Sequence, residues 1–395
     1  MVKRFVVCLL LVAFLVPRPG SAAGPDGQSA ADALFAAGDF EAAAGAYRTL
    51  LSSDPKAVEP LRRLGLIELY GNDLDPAFDL LTEAQRIDPA NAATVSTLAE
   101  VRRRRSEAAK RVQIDGQEAV VPFLWTDPLP AVRVRLNASQ DATFLIDTGA
   151  PGIILSAQLA KRLGVQLTAA GEGTFAGGKH AAIERAVVDS IALAGATAYD
   201  VAATVTPLPQ IIPNVQIDGI VGTGLLARFL ATLDYPHGRL VLRPQDRNVS
   251  DAFERDARDA HATIVPCWLV GDHFVFAQAQ VNAAVPGMFL FDSGLAGGGL
   301  MPSSTLVDAA HIVLDRSHVV TGMGGGGAVE AIPFTAASVR VGESVRHEIP
   351  GLYTPEGSPF TLFPFTVDGA ISHEFLKHFA YTVDFEAMKI VLSDA

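Results

Sequence analysis

The spacing of apolar residues divides the chain into two regions of different character. From residue 30 to residue 112, Ala and Leu recur with the three- and four-residue spacing that is typical of amphipathic helices. After Val112 the apolar runs are short and are separated by Gly, Pro, Asn and Asp, which favours strands joined by turns. The pattern therefore predicts an all-α region followed by an all-β region, and a chain of 395 residues is long enough for both.

The helical region contains a repeat with a period of 34 residues. Two segments of similar apolar pattern each end in an Asp-Pro pair, the first at Pro55 and the second at Pro89. This is the period of tetratricopeptide repeats, and the region, assigned to residues 24–112, resembles a short array of them. Val95–Arg111 is expected to be the closing helix, with the arginine run Arg102–Arg105 on its solvated side. The resemblance implies a groove for a protein partner; a spacer or dimerisation arm is the alternative.

The β region is a duplication of one unit. The segment NASQDATFLID, which begins at Asn137, returns as NAAVPGMFLFD from Asn282, at an offset of 145 residues. The segment that begins IDGIVG at Ile217 returns as the segment that begins VDGAIS at Val367, at an offset of 150 residues and without a gap. We therefore expect two similar β lobes in one chain.

Each copy places a carboxylate at the end of an apolar strand. Asp147 and Asp292 are both followed by a hydroxyl residue and a glycine. A buried carboxylate is costly unless it has partners. Pseudo-twofold packing of a duplicated unit brings equivalent strand ends together at the axis, where two carboxylates share one proton. One then acts as base on a water while the protonated one polarises a carbonyl, so we predict a catalytic pair.

The residues that follow the two aspartates are expected to support the pair. The hydroxyls of Thr148 and Ser293 are placed to hydrogen-bond across the axis and fix both loops. Gly149 and Gly294 allow the tight turn that exposes each carboxyl group.

The Asp-Thr-Gly-Ala sequence at Asp147, followed by an apolar strand, and the Ile-Val-Gly sequence at Ile220 carry a family resemblance. Together they resemble the retropepsin- and pepsin-like aspartic proteases, and in particular bacterial aspartyl-protease-like proteins with two lobes in one chain. The resemblance implies two lobes of acid-protease-barrel type, hydrolysis of peptide bonds in peptide or protein substrates, and no metal or organic cofactor.

The expected architecture is thus multidomain, with all-α repeats followed by an all-β, duplicated, two-lobed domain. The predicted boundaries are residues 1–23 for a signal peptide, 24–112 for the helical repeats, 113–246 for lobe 1, 247–260 for a polar linker and 261–395 for lobe 2.

A glycine-rich segment follows each aspartate motif, at residues 171–180 and 321–330. The family resemblance implies hairpin flaps that close over an extended peptide, and glycine suits their mobile tips. A plain surface turn is the alternative. The flap candidates are Phe175, Gly177, Gly178, Met323 and Gly324.

The second copy departs from the family pattern at three places. Leu295 stands where the pattern has Ala or Ser, Gly297–Gly299 replace the apolar entry of the next strand, and Ser372 replaces the motif glycine. These departures favour a second hypothesis, a two-lobed module that binds a peptide without cleaving it. In a third, two copies of lobe 1 from separate chains form the pair and lobe 2 is degenerate.

The N-terminus predicts export. Basic residues precede the apolar run Phe5–Val16, and small residues ending at Ala23 offer a cleavage site. We therefore expect the mature protein to be periplasmic or secreted and to lack a stable membrane span. An uncleaved membrane anchor is the alternative. Removal of residues 1–23 leaves 28 basic against 43 acidic residues, which disfavours nucleic-acid partners. Cys267 is then the single cysteine, which excludes an internal disulfide.

The histidines do not predict a metal site. His373 and His378 are five residues apart without a convincing set of acidic or cysteine partners. We expect both on the surface of the helix that closes lobe 2.

Overall fold

The computed structural model of the chain describes residues 26–108, 111–175, 179–208, 215–324, 327–355 and 359–394. The predicted signal peptide, together with Gly177 and Gly178, lies outside the described residues. The chain forms two compact units. The helical unit contains the helices that precede residue 111 and also the distant segment Thr361–Val367, whereas the β unit contains the remainder from Arg111 onward.

The helical unit follows the period seen in the sequence. Its helices are α1 (Asp26–Ala36), α2 (Phe40–Ser53), α3 (Val58–Tyr70), α4 (Leu74–Ile87) and α5 (Ala92–Ala108). α2 and α4 are both 14 residues long and begin 34 residues apart. A side chain at Gly65 would come within 2.8 Å of Leu81, so glycine permits the close packing of α3 on α4. The tetratricopeptide assignment itself remains a prediction.

The arginine run in α5 is not simply a solvated face. Arg104 is only 6% exposed, and its Nη1 donates a hydrogen bond to the carbonyl oxygen of Leu69 at 3.0 Å. Arg105 pairs with Asp75 and lies over the ring of Phe78, 4.2 Å from its centroid. The expectation that the run faces solvent was wrong for Arg104, because its long side chain reaches back to satisfy the end of α3.

Lobe 1 closes into a six-stranded barrel. The elements of lobe 1, which include strands outside the barrel, are β1 (Val112–Ile114), β2 (Ala119–Pro122), β3 (Ala131–Leu136), β4 (Gln140–Asp147), β5 (Ile153–Leu155), α6 (Ala157–Leu163), β6 (Thr168–Phe175), β7 (Lys179–Leu193), β8 (Ala196–Val205), β9 (Gly219–Gly222), α7 (Thr223–Leu226), β10 (Phe229–Asp234) and β11 (Arg239–Pro244). The strands run in the order β8, β5, β9, β4, β3 and β7, and β7 pairs again with β8 to close the ring. Apolar side chains fill the barrel.

Lobe 2 repeats this barrel strand for strand. Its elements are β12 (Thr263–Val270), β13 (Phe274–Val281), β14 (Gly287–Phe291), β15 (Leu300–Pro302), α9 (Ser304–Ala309), β16 (Val320–Gly324), β17 (Gly327–Val341), β18 (Ser344–Tyr353), a 3₁₀ turn (Pro359–Leu362), β19 (Gly369–Ile371), α10 (His373–Leu376), β20 (Ala380–Asp384) and β21 (Lys389–Ser393). The order β18, β15, β19, β14, β13 and β17 again closes through β17 and β18.

A shared antiparallel sheet joins the two lobes. Its order is β12, β21, β20, β10, β11 and β2, so strands from the end of each lobe lie side by side. At its centre Thr232 of β10 is opposite Thr382 of β20, and their hydroxyl oxygens are 2.7 Å apart. These two residues are 150 positions apart in sequence, which is the offset of the duplication. The pseudo-twofold axis therefore passes between them.

The stretch predicted as a polar linker is a helix, α8 (Arg247–Asp259). Asp246 caps it by accepting hydrogen bonds from the backbone N–H groups of Asn248 and Val249. Ser250 is buried and donates to Asp384 of β20. The polar composition of α8 gave no indication that one face of this helix packs on the shared sheet. Among the described residues, no helix combines the length and apolar character that a membrane crossing requires.

Candidate active site

The two predicted aspartates lie at equivalent strand ends. Asp147 is the last residue of β4 and pairs with Gly222 on the parallel strand β9. Asp292 follows β14, whose last residue Phe291 pairs with Ile371 on the parallel strand β19. Each aspartate thus emerges where its strand is held by a second apolar strand, which fixes the direction of the carboxyl group.

The two loops fit into each other. A Cβ atom added to Gly149 would overlap the carboxyl group of Asp292, and one added to Gly294 would overlap the carboxyl group of Asp147. Each glycine therefore provides the space that the opposite carboxyl group occupies. The structure brings both aspartates and both glycines together in one chain.

The hydroxyl residues make reciprocal hydrogen bonds across the axis. The backbone N–H of Thr148 donates to Ser293 Oγ at 3.0 Å, and the backbone N–H of Ser293 donates to Thr148 Oγ1 at 2.9 Å. Thr148 Oγ1 also donates to the carbonyl oxygen of Phe291 at 3.3 Å. These bonds tie the loop of each lobe to the other, because neither hydroxyl is bonded only within its own loop.

Each carboxyl group has one satisfied and one unsatisfied oxygen. Asp147 Oδ1 accepts from the Gly149 N–H at 2.9 Å, and Asp292 Oδ1 accepts from the Gly294 N–H at 2.8 Å. Both Oδ2 atoms are buried without a hydrogen-bond partner in the described part of the chain. Two buried oxygens that lack donors favour protonation of the pair.

The environment raises the pKa of both carboxyl groups. Burial and the negative charge of Asp292 raise the pKa of Asp147 well above its ordinary value of 3.8. Burial also raises the pKa of Asp292, against the opposing effect of the hydrogen bond from the backbone N–H of Gly294. Neither group is exposed to solvent. The pair therefore retains one proton above the pH at which an isolated aspartate loses it, and combines a base with an acid.

A second layer of hydroxyls supports the loops from below. Thr223 Oγ1, at the start of α7, donates to the carbonyl oxygen of Thr148 at 2.6 Å. In lobe 2, Ser372 Oγ donates to the carbonyl oxygen of Asp292 and accepts from the N–H of Leu295 at 3.1 Å. Sequence patterns give Thr223 no role, and they mark Ser372 only as a departure, although a hydroxyl inside an apolar segment was a usable signal.

The longer loop of lobe 2 explains why serine fits there. In lobe 1 a Cβ at Gly222 would overlap the carbonyl oxygen of Ala150. In lobe 2 the glycine run lets the chain pass close to α10, since a Cβ at Gly299 would lie 2.7 Å from the backbone nitrogen of Phe375. The strand β15 still forms immediately after the run. The glycines thus lengthen the loop before this strand without replacing it.

Two tyrosines lie beneath the loops. Burial raises the pKa of Tyr235, whose hydroxyl group lies beside that of Ser293, and burial likewise raises the pKa of Tyr381, which lies beside Thr148. Both are at most 5% exposed. They place neutral phenol groups under the hydroxyls that connect the two lobes, a role that no sequence motif indicates.

The expected surface position of His373 was wrong. His373 is fully buried, its Nε2 is 3.0 Å from Asp127 Oδ1, and burial lowers its pKa. Asp127, His373 and Glu374 are close enough to hold a metal ion together. However, Lys377 Nζ lies 3.2 Å from Asp127 and 2.8 Å from Glu374. This ammonium group already supplies the positive charge that the two carboxylates attract.

The described residues of the two glycine-rich segments lie on paired antiparallel strands. Phe175 of β6 pairs with Lys179 of β7, while Met323 pairs with Ala328 and Gly324 pairs with Gly327 between β16 and β17. Gly177 and Gly178 lie outside the described residues. All five flap candidates remain predictions.

The base of the first hairpin lies near both aspartate loops. Ile183 of β7 belongs to a buried cluster with Ala150 and Ala296, which follow Asp147 and Asp292 along the chain. Ala170 of β6 packs against the same cluster. This hairpin is thus anchored beside the aspartate pair.

Comparison with known proteins places lobe 1 near one family. Residues 132–225, from β3 into α7, match the family model for aspartyl proteases. This part of the chain is aspartyl-protease-like. The chain is also similar to the crystal structure of the aspartic proteinase from Irpex lacteus, with a TM-score of 0.43 and 11% identity over 70% of this chain and 97% of that one. The comparison with curated proteins found no match.

Proposed function

We propose that the chain is an aspartic endopeptidase in which Asp147 and Asp292 together activate a water molecule for attack on a peptide bond. One observation carries the proposal: the carboxyl group of each aspartate occupies the space beside the glycine of the other lobe. This arrangement holds two ionisable oxygens against each other in a buried setting. It matches the chemistry of the aspartyl proteases to which residues 132–225 are similar.

The proposed reaction uses the single proton of the pair. The ionised carboxylate removes a proton from a water held between the two Oδ2 atoms, and the water oxygen attacks the scissile carbonyl carbon. The protonated carboxyl group donates its proton to the carbonyl oxygen, which gives a neutral tetrahedral intermediate. The carboxyl group that took the water proton then donates it to the amide nitrogen, while the other carboxylate removes a proton from one hydroxyl of the intermediate. The C–N bond breaks to give a carboxylic acid and an amine, and the pair again holds one proton.

The departures in lobe 2 are compatible with this function. Ser372 supports the backbone around Asp292 through two hydrogen bonds, and the glycine run precedes a normally formed strand. Because Asp147 and Gly294 lie together within one chain, the pair requires no second chain. Peptide binding without cleavage is therefore left as an outcome of the test.

Two further parts of the proposal concern the N-terminal region. We propose that the protein is exported and processed near Ala23, to become periplasmic or secreted, and that the helical unit recruits a substrate or a protein partner. N-terminal sequencing of the protein from cell fractions tests the first part. A first residue at or close to Gly24 in the exported fraction is expected, whereas an intact Met1 in a membrane fraction would favour an uncleaved anchor.

The test of activity uses a diverse peptide mixture, incubated with the purified protein between acid and neutral pH and analysed by mass spectrometry. Asp147→Asn is compared with Asp141→Asn on the same strand, because Asp141 is exposed and pairs with Arg135. We expect cleavage by the wild type and by Asp141→Asn, and none by Asp147→Asn. Intact peptides at every pH, from a wild-type protein shown to be folded, would reject the enzyme and leave peptide binding.

A further inference from the structure

The segment Thr361–Val367 belongs to the helical unit although the residues on both sides of it belong to the β unit. The chain therefore leaves lobe 2 after Phe360 and returns at Asp368. We call Thr361–Val367 the strap.

The strap is part of the aromatic core of the helical unit. Phe365 is only 5% exposed, and its ring lies perpendicular to that of Phe40, with 5.0 Å between centroids. The ring of Tyr70 is 6.3 Å from it, and Phe40 in turn packs on Phe35 at 5.4 Å. The N–H of Thr366 donates to the last carbonyl of α1, that of Ala36, at 2.8 Å. An aromatic ring and a backbone hydrogen bond thus fix the end of the strap.

The strap leads directly into the strand that supports Asp292. The N–H of Asp368 donates to Met288 at 2.8 Å, and β19 begins one residue later. At the other end of β19, the N–H of Asp292 donates to the carbonyl of Ile371 at 3.0 Å, and Ser372 bonds to Asp292 and Leu295. Only a few residues separate the aromatic anchor from the backbone that positions Asp292.

In lobe 1 the residue just before the equivalent strand, β9, is held by different contacts. Asp218, which corresponds to Asp368, is held by Arg162 of α6 at 2.6 Å and by the N–H of Thr143 at 3.0 Å. Counted from the capping serines of α6 and α9, the residue of lobe 2 that corresponds to Arg162 is Ala309. Lobe 2 therefore lacks this arginine, and the chain enters β19 directly from the strap.

We propose that the strap fixes β19 in lobe 2 and that Phe365 is a positioning residue for Asp292. While Phe365 is anchored, only a short segment of chain before β19 is free to move. Release of the anchor lengthens this free segment, raises the entropic cost of ordering it and thereby loosens β19. The effect on catalysis rests on the proposed function, whereas the effect on backbone mobility does not.

Amide hydrogen exchange on the full chain tests the proposal through a comparison of the two lobes. Phe365→Ala removes the anchor, and Leu362→Ala is the matched control because Leu362 is 47% exposed in the same segment. We expect Phe365→Ala to speed exchange at the amides of Asp292 and Ser372 about tenfold, while those of Asp218 and Gly222 stay unchanged. Unchanged exchange at Asp292 and Ser372, or an equal increase in both lobes, would overturn the proposal.

Kinetics give the second measurement. We expect Phe365→Ala to lower kcat with little change in KM and to shift the acid limb of the pH profile, since the pair moves while the peptide-binding surface remains. Phe365→Leu, which keeps an apolar anchor, is expected to restore most of kcat. A kcat equal to the wild-type value in a variant with faster exchange at Ser372 would reject Phe365 as a positioning residue. If the wild type cleaves no peptide, the proposed function fails, and the exchange measurement still decides whether the strap fixes β19.

Discussion

Lobe 1 and lobe 2 close into the same six-stranded barrel, yet they fix their aspartate loops differently. Lobe 1 has a short, tightly packed loop in which Gly222 leaves no room for a side chain, and Thr223 holds the carbonyl of Thr148. Lobe 2 has a longer loop with room for Ser372, which bonds to the loop on both sides of the aspartate. The motif glycine is therefore needed only while the loop stays short.

The lobes differ least where they touch. At the axis the contacts are reciprocal: Thr148 lies against Ser293, each carboxyl group lies against the glycine of the other lobe, and Thr232 lies against Thr382. A change at such a position alters a contact that both lobes share. Away from the axis each lobe packs on itself, so its loops are free to diverge. This explains why the support of Asp292 has changed while the pair itself has kept its symmetry.

Apart from changes to the aspartates themselves, the largest effect is expected from the two glycines at the axis. Gly149→Ala and Gly294→Ala each introduce a methyl group into the space of the opposite carboxyl group. We expect each to lower kcat/KM about 100-fold or more, because small displacements of reacting groups cost about that much. Initial rates on a cleaved peptide measure this. A loss confined to Gly149→Ala would break the symmetry on which the comparison rests.

Swapping the motif residues between the lobes, by Gly222→Ser in lobe 1 and Ser372→Gly in lobe 2, is expected to give unequal losses of stability. Gly222→Ser forces an overlap with the carbonyl of Ala150 and should lower the free energy of unfolding by about 3 kcal/mol. Ser372→Gly removes two hydrogen bonds and should lower it by about 1–2 kcal/mol. Denaturant unfolding of both variants measures the difference. If Ser372→Gly proves the more harmful, loop length does not explain the tolerance of serine.

The raised pKa values of the pair predict a pH-dependent gain in stability when one carboxyl group is removed. Between the ordinary pKa of 3.8 and the raised values, the folded protein binds more protons than the unfolded chain, so wild-type stability falls as the pH rises through this window. Asp147→Asn and Asp292→Asn remove this penalty. We expect both to raise Tm relative to the wild type at neutral pH, with a difference that vanishes below the ordinary pKa.

Thermal unfolding at a series of pH values measures this gain. Asp141→Asn serves as the control, because its carboxyl group is exposed and its pKa is lowered by the hydrogen bond with Arg135. A Tm difference that is constant with pH, or a loss of Tm at neutral pH, would contradict the account of the pair.

The smallest effect on stability is expected from the threonine pair at the centre of the shared sheet. Thr232→Val and Thr382→Val each remove one partner of the central hydroxyl pair and should each cost about 1 kcal/mol of unfolding free energy. The double variant should cost less than the sum, because both single changes break the same hydrogen bond. If the double variant instead loses as much unfolding free energy as the two single variants together, the two hydroxyls are not coupled across the axis.

Much of the β unit could be predicted because duplication leaves a constant offset in sequence. Asp147 and Asp292 stand out as carboxylates at the ends of apolar strands, and Gly149 and Gly294 follow them at the same spacing. The match of residues 132–225 to aspartyl proteases confirms the family resemblance for this part of the chain.

The remaining features depend on contacts between distant residues. The fit of Ser372 depends on the length of a loop more than seventy positions earlier in the chain. Helix α8 was predicted as a linker because its buried face is short and its composition polar. Nothing in the sequence around Phe365 indicates that its ring packs on Phe40 and Tyr70. Local patterns define elements and motifs, but they do not identify partners.

The most direct test compares peptide cleavage by Asp147→Asn and Asp292→Asn, each verified as folded, with that of the wild type under the same conditions. If one chain supplies both carboxyl groups, the two variants lose activity to the same extent, and mixing them restores none. If Asp292→Asn stays active while Asp147→Asn does not, the pair forms between two copies of lobe 1 and the account is contradicted.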